Sequence, residues 1–257
     1  MSPRLSQAQC IYREENVDSR LEIWDEGNHR SLWFDDVILQ SEICLDNPAK
    51  LPNPVNRAML APLMFDLPVQ RVLLAGCGGG AIARWFNARA PAVAGDAVEL
   101  SPTVARLARE YFDFPAPAGR WRLLVDDIRK YLASTSRRYD YMLVDLEEKQ
   151  ITPDWVVSVP FLTECANHLT PNGILVLNLI SHSIDDATDA LFAIRQVFDA
   201  GITLLGNPDH DNLLVLATPQ AILPSPMAET LKRQEKRWGI EFTALARRLK
   251  QIPPVAI

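Results

Sequence analysis

A run of glycines followed by a distant acidic residue is the strongest chemical signal in the sequence. The run Gly76–Gly80 (GCGGG) directly follows the apolar stretch 71–75 and precedes a helical pattern. Glycine lacks a Cβ, so the chain can turn sharply there and a ligand can approach its backbone closely. Glu99 follows Gly80 after nineteen residues, at the end of the next apolar stretch, where a carboxylate can accept hydrogen bonds from both hydroxyls of a ribose. The sequence therefore predicts a bound nucleoside, with contacts from Gly76, Gly78, Gly80, Glu99 and Leu100.

Two classes of nucleoside ligand compete for this turn. A dinucleotide site places a pyrophosphate at the helix N-terminus and usually shows G-x-G-x-x-G, whereas Ala83 stands at the last of those positions here. A sulfonium nucleoside such as S-adenosylmethionine carries a positive charge and no phosphate. Asp126 and Asp127 end the third apolar stretch, where they are placed to bond an adenine amino group, and acids suit a cation better than a pyrophosphate. Asp127 has a second interpretation, as the N-cap of a helix over 128–132.

The elements that position these residues alternate between strands and helices from residue 71 onwards. Short apolar runs without alternation indicate strands that are covered on both faces. Alternation with helices implies βαβ crossovers and a mainly parallel, doubly wound Rossmann-like sheet of the methyltransferase type. Residues 202–205 and 213–217 indicate a closing antiparallel pair, and the tail over 226–250 is expected to be helical with a weak point at Gly239.

The first fifty residues have a different pattern. Leu21–Trp24 alternates and precedes the turn cluster Asp25–Asn28, and a second hairpin is expected around residues 35 and 36. Three prolines within 47–54 interrupt regular structure. We therefore expect a small N-terminal β-hairpin domain over residues 1–54. A nucleoside-binding α/β domain over 55–257 would follow, opening with a connecting helix at 55–66.

Composition excludes several classes of protein. Of the 257 residues, 48% are hydrophobic, which excludes a disordered chain. The net charge of −6 argues against a broad nucleic-acid surface, which would need an excess of Lys and Arg. The longest apolar runs are far shorter than the roughly 18 residues of a membrane span. The N-terminus has no apolar signal-peptide core. The scattered cysteines form no C-x-x-C pair. We expect a cytoplasmic protein with reduced thiols, no metal, and neither a membrane nor a nucleic-acid partner.

Several separate segments, covering roughly residues 10–218, resemble the spermidine synthase-like family. This family is the polyamine aminopropyltransferase branch of the S-adenosylmethionine-dependent methyltransferase fold. The segments are Leu32–Gln40 (LWFDDVILQ, similar to LxLDGxxQ), Val72–Gly80 (VLLAGCGGG, similar to VLxIGGGDGG), Val98–Pro102 (VELSP, similar to VEIDP), Val125–Leu132 (VDDIRKYL, similar to VGDGRxFL), Tyr139–Asp145 (YDYMLVD, similar to YDxIIxD) and Leu169–Leu177 (LTPNGILVL, similar to LxPGGxLVx). Their order and spacing agree with the family throughout.

The resemblance implies a role for individual residues. Glu99 would hold the ribose, Asp127 the adenine, and Gln40 would reach the nucleoside from the small domain. Asp145 stands where the family places the carboxylate that takes a proton from an attacking amine. The implied donor is S-adenosylmethionine or its decarboxylated form, the implied acceptor is a small-molecule polyamine, and a homodimer is expected.

The position of Asp145 also supports this role without the resemblance. Asp145 follows the apolar strand 141–144, and ligands of open α/β sheets bind outside the carboxyl ends of the strands. An alkylamine is protonated at neutral pH, since it titrates near ~10.4, so it cannot attack until its proton leaves. A carboxylate within hydrogen-bond reach can bind the ammonium and accept that proton. Trp155, in the loop after Asp145, could cover the acceptor.

Departures from the family pattern leave other functions open. Gly79 replaces the aspartate that holds the amine of the transferred group, Glu148 stands in for a second acid after Asp145, and Pro54–Arg57 replaces an acceptor-binding YHE stretch. Methyl transfer from S-adenosylmethionine to a small amine or acid is a close alternative. A non-catalytic nucleoside-binding module is the second.

Overall fold

Two β-sheets joined by one helix form the framework of the protein. The structure is a computed structural model, and it describes residues 8–15, 20–35, 37–115, 119–206, 212–220 and 223–253. The N-terminal sheet is antiparallel, with its four strands in chain order. They are β1 (Gln9–Glu15), β2 (Arg20–Glu26), β3 (His29–Phe34) and β4 (Ile38–Cys44). The pairings of β2 with β3 and of β3 with β4 confirm both predicted hairpins.

The second sheet has the order β12-β10-β11-β9-β8-β5-β6-β7. Its strands are β5 (Arg71–Ala75), β6 (Ala94–Glu99), β7 (Trp121–Val125), β8 (Tyr139–Val144), β9 (Leu169–Leu179), β10 (Ile202–Gly206), β11 (Leu213–Ala217) and β12 (Leu249–Ile252). The pairs within β9-β8-β5-β6-β7 are parallel, and β11, β10 and β12 add antiparallel pairs. The doubly wound, mainly parallel sheet predicted from the sequence is therefore confirmed.

Helices cover both faces of this sheet. They are α1 (Pro54–Met59), α2 (Ala81–Arg89), α3 (Pro102–Tyr111), α4 (Ile128–Ser134), α5 (Val159–Asn167), α6 (Ile184–Val197), α7 (Ala228–Trp238) and α8 (Phe242–Ala246). Along β5, Val72 and Leu74 pack in the core under α1, α2 and α7, whereas Leu73 and Ala75 pack under α4, α5 and α6. Burial on both faces explains the apolar run without alternation. Within the described ranges, every helix is too short or too polar to cross a bilayer.

The two sheets share a small core. Leu107 and Phe112 of α3 are buried together with Leu21, Ile23, Leu32 and Ile43 of the N-terminal sheet. Because α3 begins directly after β6, this packing holds the N-terminal sheet beside the end of β6. The proposed domain boundary at residue 54 stays a prediction.

Two expectations about helices were wrong in detail. The connecting helix ends at Met59, and a 3₁₀ turn over Ala61–Phe65 follows, because Pro62 has no N–H to continue the α-helical hydrogen bonds. The tail forms two helices, α7 and α8, instead of one, and the predicted weak point at Gly239 is confirmed. Gly239, with φ +70°, ends α7. After α8, β12 pairs with β10 and covers an edge of that strand that would otherwise lack a partner.

A buried carboxylate ties β6 to its neighbours. Asp96 is 1% exposed and accepts hydrogen bonds from Tyr131 (2.9 Å), Tyr139 (2.8 Å) and Arg122 (2.6 Å), with Arg137 at 3.3 Å. Burial raises the pKa of Asp96, but these hydrogen bonds outweigh it and hold the pKa below its ordinary value. Asp96 therefore stays ionised in the folded protein.

We predict that Asp96→Asn lowers the free energy of unfolding at pH 7 by about 3 kcal/mol, because it interrupts a buried ion pair. A carboxylate whose folded pKa is depressed contributes stability above its unfolded pKa, near ~3.9, and loses that contribution as the pH falls through the folded pKa. The difference between wild type and variant should thus shrink below about pH 4. Urea unfolding from pH 3 to 7 measures this difference in the free energy of unfolding, and Asp199→Asn, at an exposed position, is the control. An equal loss of stability at every pH would contradict this assignment.

Candidate functional site

The strand order of the large sheet reverses between β5 and β8, and the main chain after each of these strands meets there. Gly76 follows β5 with φ +79°, and a Cβ at this position would overlap the carbonyl oxygen of Asp145, which follows β8. The Asp145 N–H donates to the Ala75 carbonyl over 2.9 Å. Ligands of open α/β sheets bind in the crevice at such a reversal. Only glycine at position 76 lets the two segments approach this closely.

A cleft of about 610 Å³ opens at this point. The glycine turn and the ends of β6, β8 and β9 form one side, and β4 with α1 forms the other. Six of the site residues that the sequence predicts outside the glycine turn line this cleft. They are Gln40, Glu99, Leu100, Asp145, Glu148 and Trp155, and Gly76 and Gly78 contribute backbone. The structure thus brings most of the predicted residues together, although they come from five separate segments.

At one end of the cleft, the Glu99 carboxylate is held by backbone. It accepts a hydrogen bond from the Cys77 N–H (3.2 Å) and another from the Ser101 N–H (3.0 Å). These bonds fix its orientation, and each oxygen retains capacity for a further donor. Burial, followed by the charge of Glu99, raises the pKa of the Cys77 thiol well above its ordinary value, so this cysteine stays a neutral thiol.

Gly80 lies behind this surface and does not line the cleft. It caps the N-terminus of α2 with φ +75°, and a Cβ there would come within 2.5 Å of the Phe114 ring. The glycine is required for packing and backbone conformation. Its predicted contact with the ligand stays a prediction.

Asp145 lies at the other end of the cleft. The residue is exposed to the cleft, and the Asn178 amide donates to its Oδ1 over 2.8 Å. Asn212 donates in turn to the Asn178 Oδ1 over 3.0 Å. The protein that surrounds the cleft desolvates Asp145 and raises its pKa, and the Asn178 hydrogen bond offsets part of this rise. A raised pKa makes the carboxylate a stronger proton acceptor than an ordinary aspartate.

A tight hairpin brings further charge to the same end. Glu148 and Ile151 exchange backbone hydrogen bonds, and Lys149 and Gln150 between them have φ of 50° and 66°. This two-residue turn places Glu147, Glu148 and Lys149 at the cleft. Burial and then the Asp145 charge raise the pKa of Glu147. Among the described residues that line the cleft, five carry carboxylates and Lys149 is the one cation, so the cleft attracts positive charge.

Asp126 and Asp127 are not among the residues that line the cleft. Asp127 is the N-cap of α4, and its carboxylate forms an ion pair with Arg129 at 2.5 Å. Asp126 accepts a hydrogen bond from the Asp127 N–H. The Arg129 guanidinium also lies 4.4 Å from the centre of the Trp155 ring, which lines the cleft. The adenine contact expected of Asp126 and Asp127 stays a prediction.

Sequence reasoning missed two polar residues of the site. Asn178 is 3% exposed within β9, and Ser41 in β4 accepts a hydrogen bond from the Gly79 N–H over 2.6 Å. The sequence does contain a signal for Asn178, because this residue is the one polar residue in the apolar run ILVLNLI. A buried amide in a strand needs a partner, and here that partner is Asp145. Ser41 left no comparable signal.

The family pattern VGDG reads Val125–Ile128 (VDDI) here, so Asp126 is a fourth departure beside Gly79, Glu148 and Pro54–Arg57. At Gly79, Arg57 and Asp126, the structure shows contacts within the protein. A Cβ on Gly79 would lie 2.9 Å from the Ser41 Cβ and 3.1 Å from the Phe112 ring, so an aspartate does not fit there without movement. Arg57 does not line the cleft, since its guanidinium donates to the carbonyls of Leu51 and Pro52. Asp126 is held within its own turn. Within the described ranges, no group of three His, Cys, Asp or Glu side chains is arranged to hold a metal ion.

Comparison with known proteins gives a consistent result. No protein-family model matches the chain. A polyamine aminopropyltransferase of Neisseria meningitidis serogroup A is 30% identical over 238 residues, which is 90% of this chain and 89% of the relative.

Solved structures share the fold. A probable spermidine synthase of Corynebacterium glutamicum superposes with a TM-score of 0.76 at 22% identity, over 94% of this chain and 90% of that one. A spermidine synthase in complex with the transition-state analogue AdoDATO gives 0.70 at 16% identity, over 93% and 82%. Human methyltransferase-like protein 13 in complex with SAH gives 0.58 at 20% identity, over 79% and 93%.

We predict that Asn178→Ala raises the pKa of the Asp145 carboxyl further, because it removes the one hydrogen bond that stabilises the charged form. Titration of the carboxyl carbon by NMR measures this pKa, and Asp145→Asn assigns the signal. Asn172→Ala, at an exposed position near the start of β9, is the matched control. An Asp145 pKa that stays the same or falls in Asn178→Ala would show that the hydrogen bond does not tune this carboxylate.

Proposed function

The chain belongs to the polyamine aminopropyltransferase family and is a transferase, and on this premise we propose how its cleft works. The donor is decarboxylated S-adenosylmethionine, and the acceptor is an amine of the polyamine class. The single observation that carries the proposal is the position of Asp145. Its carboxylate lies at the strand reversal, in the same cleft as the glycine turn and Glu99.

The donor nucleoside occupies the end of the cleft at the glycine turn. Glu99 accepts hydrogen bonds from the ribose hydroxyls, and its two backbone hydrogen bonds orient it for that contact before the ligand arrives. Gln40 and Leu100 contact the nucleoside from β4 and from the end of β6. Asp127 contacts the adenine when Arg129 releases its carboxylate or shares it with the ligand.

The acceptor amine binds at the Asp145 end as an ammonium ion. Asp145 first pairs with the ammonium and then accepts its proton, which leaves a neutral nitrogen with a free electron pair. That nitrogen attacks the aminopropyl carbon bonded to sulfur, a new C–N bond forms and the C–S bond breaks. The sulfonium takes up the electron pair and departs as the neutral thioether 5′-methylthioadenosine. The proton on Asp145 then passes to solvent, to which the carboxyl is open.

The remaining acids of the cleft bind the rest of the acceptor. A polyamine carries several positive charges, and Glu147 and Glu148 lie beside Asp145 to attract them. Trp155, whose ring also faces Arg129, covers the acceptor side. Lys149 on the same hairpin repels one part of a polycation and so limits where a second ammonium group can lie.

A second candidate function is methyl transfer from intact S-adenosylmethionine to a small amine. The glycine at position 79 favours it, because no carboxylate on the glycine turn can pair with the free amine of a decarboxylated donor. The relation to a methyltransferase-like fold is consistent with this chemistry. The cytoplasmic location and the homodimer expected from the sequence stay predictions, and the dimer is open to analytical ultracentrifugation.

We predict that the protein releases 5′-methylthioadenosine from decarboxylated S-adenosylmethionine when a polyamine is present. Asp145→Asn should lower kcat by about 10²- to 10⁴-fold, because the amide cannot accept the proton. It should still bind the nucleoside, since Glu99 and the glycine turn are unchanged. Chromatography of the nucleoside and amine products measures turnover. Methylated amine from the intact donor would favour the second candidate, and turnover in Asp145→Asn equal to wild type would contradict the role of Asp145.

We predict that Glu148→Gln raises the KM for the polyamine about two- to fivefold, the effect expected of an exposed charge pair, with little change in the KM for the donor. The effect should diminish at high ionic strength, since salt screens exposed charges. Steady-state kinetics at two salt concentrations measures both. Glu164→Gln, on the exposed side of α5, is the control. A KM for the polyamine that does not respond to Glu148→Gln would remove this residue from the acceptor site.

A further inference from the structure

Arg84, on the first turn of α2, is a buried cation with four main-chain partners. The residue is 4% exposed. Its guanidinium donates to the carbonyl oxygens of Gly79 (2.5 Å), Phe112 (2.6 Å), Pro48 (3.2 Å) and Glu42 (3.4 Å). All four acceptors are backbone atoms, and they belong to four different segments of the chain.

The guanidinium forms no salt bridge with a carboxylate of the described residues. Burial lowers the pKa of Arg84 to about 10, and the charge of Asp113 offsets part of this effect. The side chain is therefore still charged at neutral pH. A buried charge without a close counter-ion is costly, and here carbonyl oxygens supply the compensation. Such a group stays in place only while all of its acceptors keep their positions.

Three of these acceptors belong to segments of which other residues line the nucleoside end of the cleft. Gly79 lies in the glycine turn, next to Gly78, which lines the cleft. Glu42 directly follows Gln40 and Ser41, which line it from β4. Phe112 caps the C-terminus of α3, and residues at the start of this helix contribute to the same surface. A single side chain thus links the glycine turn, β4 and α3 behind the ligand surface.

A hydrogen bond on the opposite side of Gly79 reinforces this link. The Gly79 N–H donates to the Ser41 Oγ over 2.6 Å, while its carbonyl accepts from Arg84. Both polar groups of Gly79 are therefore engaged, and both bonds hold the turn against β4 or its neighbours. The distance between β4 and the glycine turn sets the width of the nucleoside end.

We propose that Arg84 is a positioning residue for the donor nucleoside. It acts through backbone, by fixing the spacing between the glycine turn and β4, and it does not touch the ligand. This inference rests on the proposed function, because it takes the nucleoside end of the cleft as the donor site. It adds that donor affinity depends on Arg84, whereas proton transfer at Asp145 does not.

The test compares Arg84→Lys with Arg122→Lys. Lysine keeps the positive charge, but its single nitrogen cannot reach four carbonyl oxygens in the geometry of a guanidinium. The control residue Arg122 pairs with Asp96, outside the residues that line the cleft. For each protein, calorimetry measures the Kd of 5′-methylthioadenosine, steady-state kinetics measures the KM for the donor and kcat, and thermal unfolding measures Tm.

We expect Arg84→Lys to raise the Kd and the KM for the donor about tenfold to a hundredfold, because hydrogen bonds of a charged group are lost. At saturating donor, kcat and the acidic limb of its pH profile should remain those of wild type. Arg122→Lys should lower Tm and leave the Kd unchanged. A lower Tm in Arg84→Lys with an unchanged Kd would overturn the proposal, since Arg84 would then be only a structural residue.

Two further outcomes are distinguishable. If wild type itself does not bind the nucleoside, the proposed function fails, and the inference about Arg84 fails with it. If Arg84→Lys does not fold, hydrogen exchange of the wild type tests whether the glycine turn and β4 are coupled. Bound 5′-methylthioadenosine should then slow amide exchange in residues 40–42 and 78–80 to the same degree, and slowing in one segment alone would overturn the coupling.

Discussion

The contact between the main chains after β5 and β8 determines where the cleft lies. At this point the strand order reverses, and the backbone of Gly76 lies against the carbonyl of Asp145 with no room for a Cβ. The contact brings Asp145, the proposed proton acceptor, beside the glycine turn, although 69 positions of sequence separate Gly76 from Asp145. The two functions proposed for these residues, nucleoside binding and proton acceptance, become adjacent because a parallel sheet aligns the carboxyl ends of its strands.

The protein buries charge in two different ways, and each has a different consequence. The negative charge of Asp96 is compensated by two arginines and two tyrosine hydroxyls, so Asp96 connects β6 to the elements packed beside it. Arg84 is compensated by carbonyl oxygens of four segments, so it responds to the relative position of those segments. Polar groups buried with full hydrogen bonding are rigid, and rigidity is what a ligand site with defined width requires.

The two ends of the cleft are prepared for their ligands by the same physical means. Backbone N–H groups orient Glu99, and the Asn178 amide orients Asp145, so each carboxylate is held before a ligand binds. Preorganised groups lose little freedom when they engage a substrate. The ends differ in charge, because the hairpin after β8 adds Glu147 and Glu148 on the Asp145 side. This asymmetry suits an uncharged sugar at one end and a polycation at the other.

The sequence by itself determined most of the strands and helices, the glycine turn and the acids that follow β6 and β8. These features depend on neighbouring residues, through apolar runs, caps and backbone freedom at glycine. Only the tertiary structure decided that β12 completes the sheet, that Asn178 holds Asp145, that Arg129 engages Asp127, and that Arg84 joins four segments. Apart from the contacts of Arg129 with Asp127 and of Arg84 with Gly79, these contacts join residues distant in sequence. For Asp127, one side chain can cap a helix or bind a ligand, and local sequence does not distinguish the two roles.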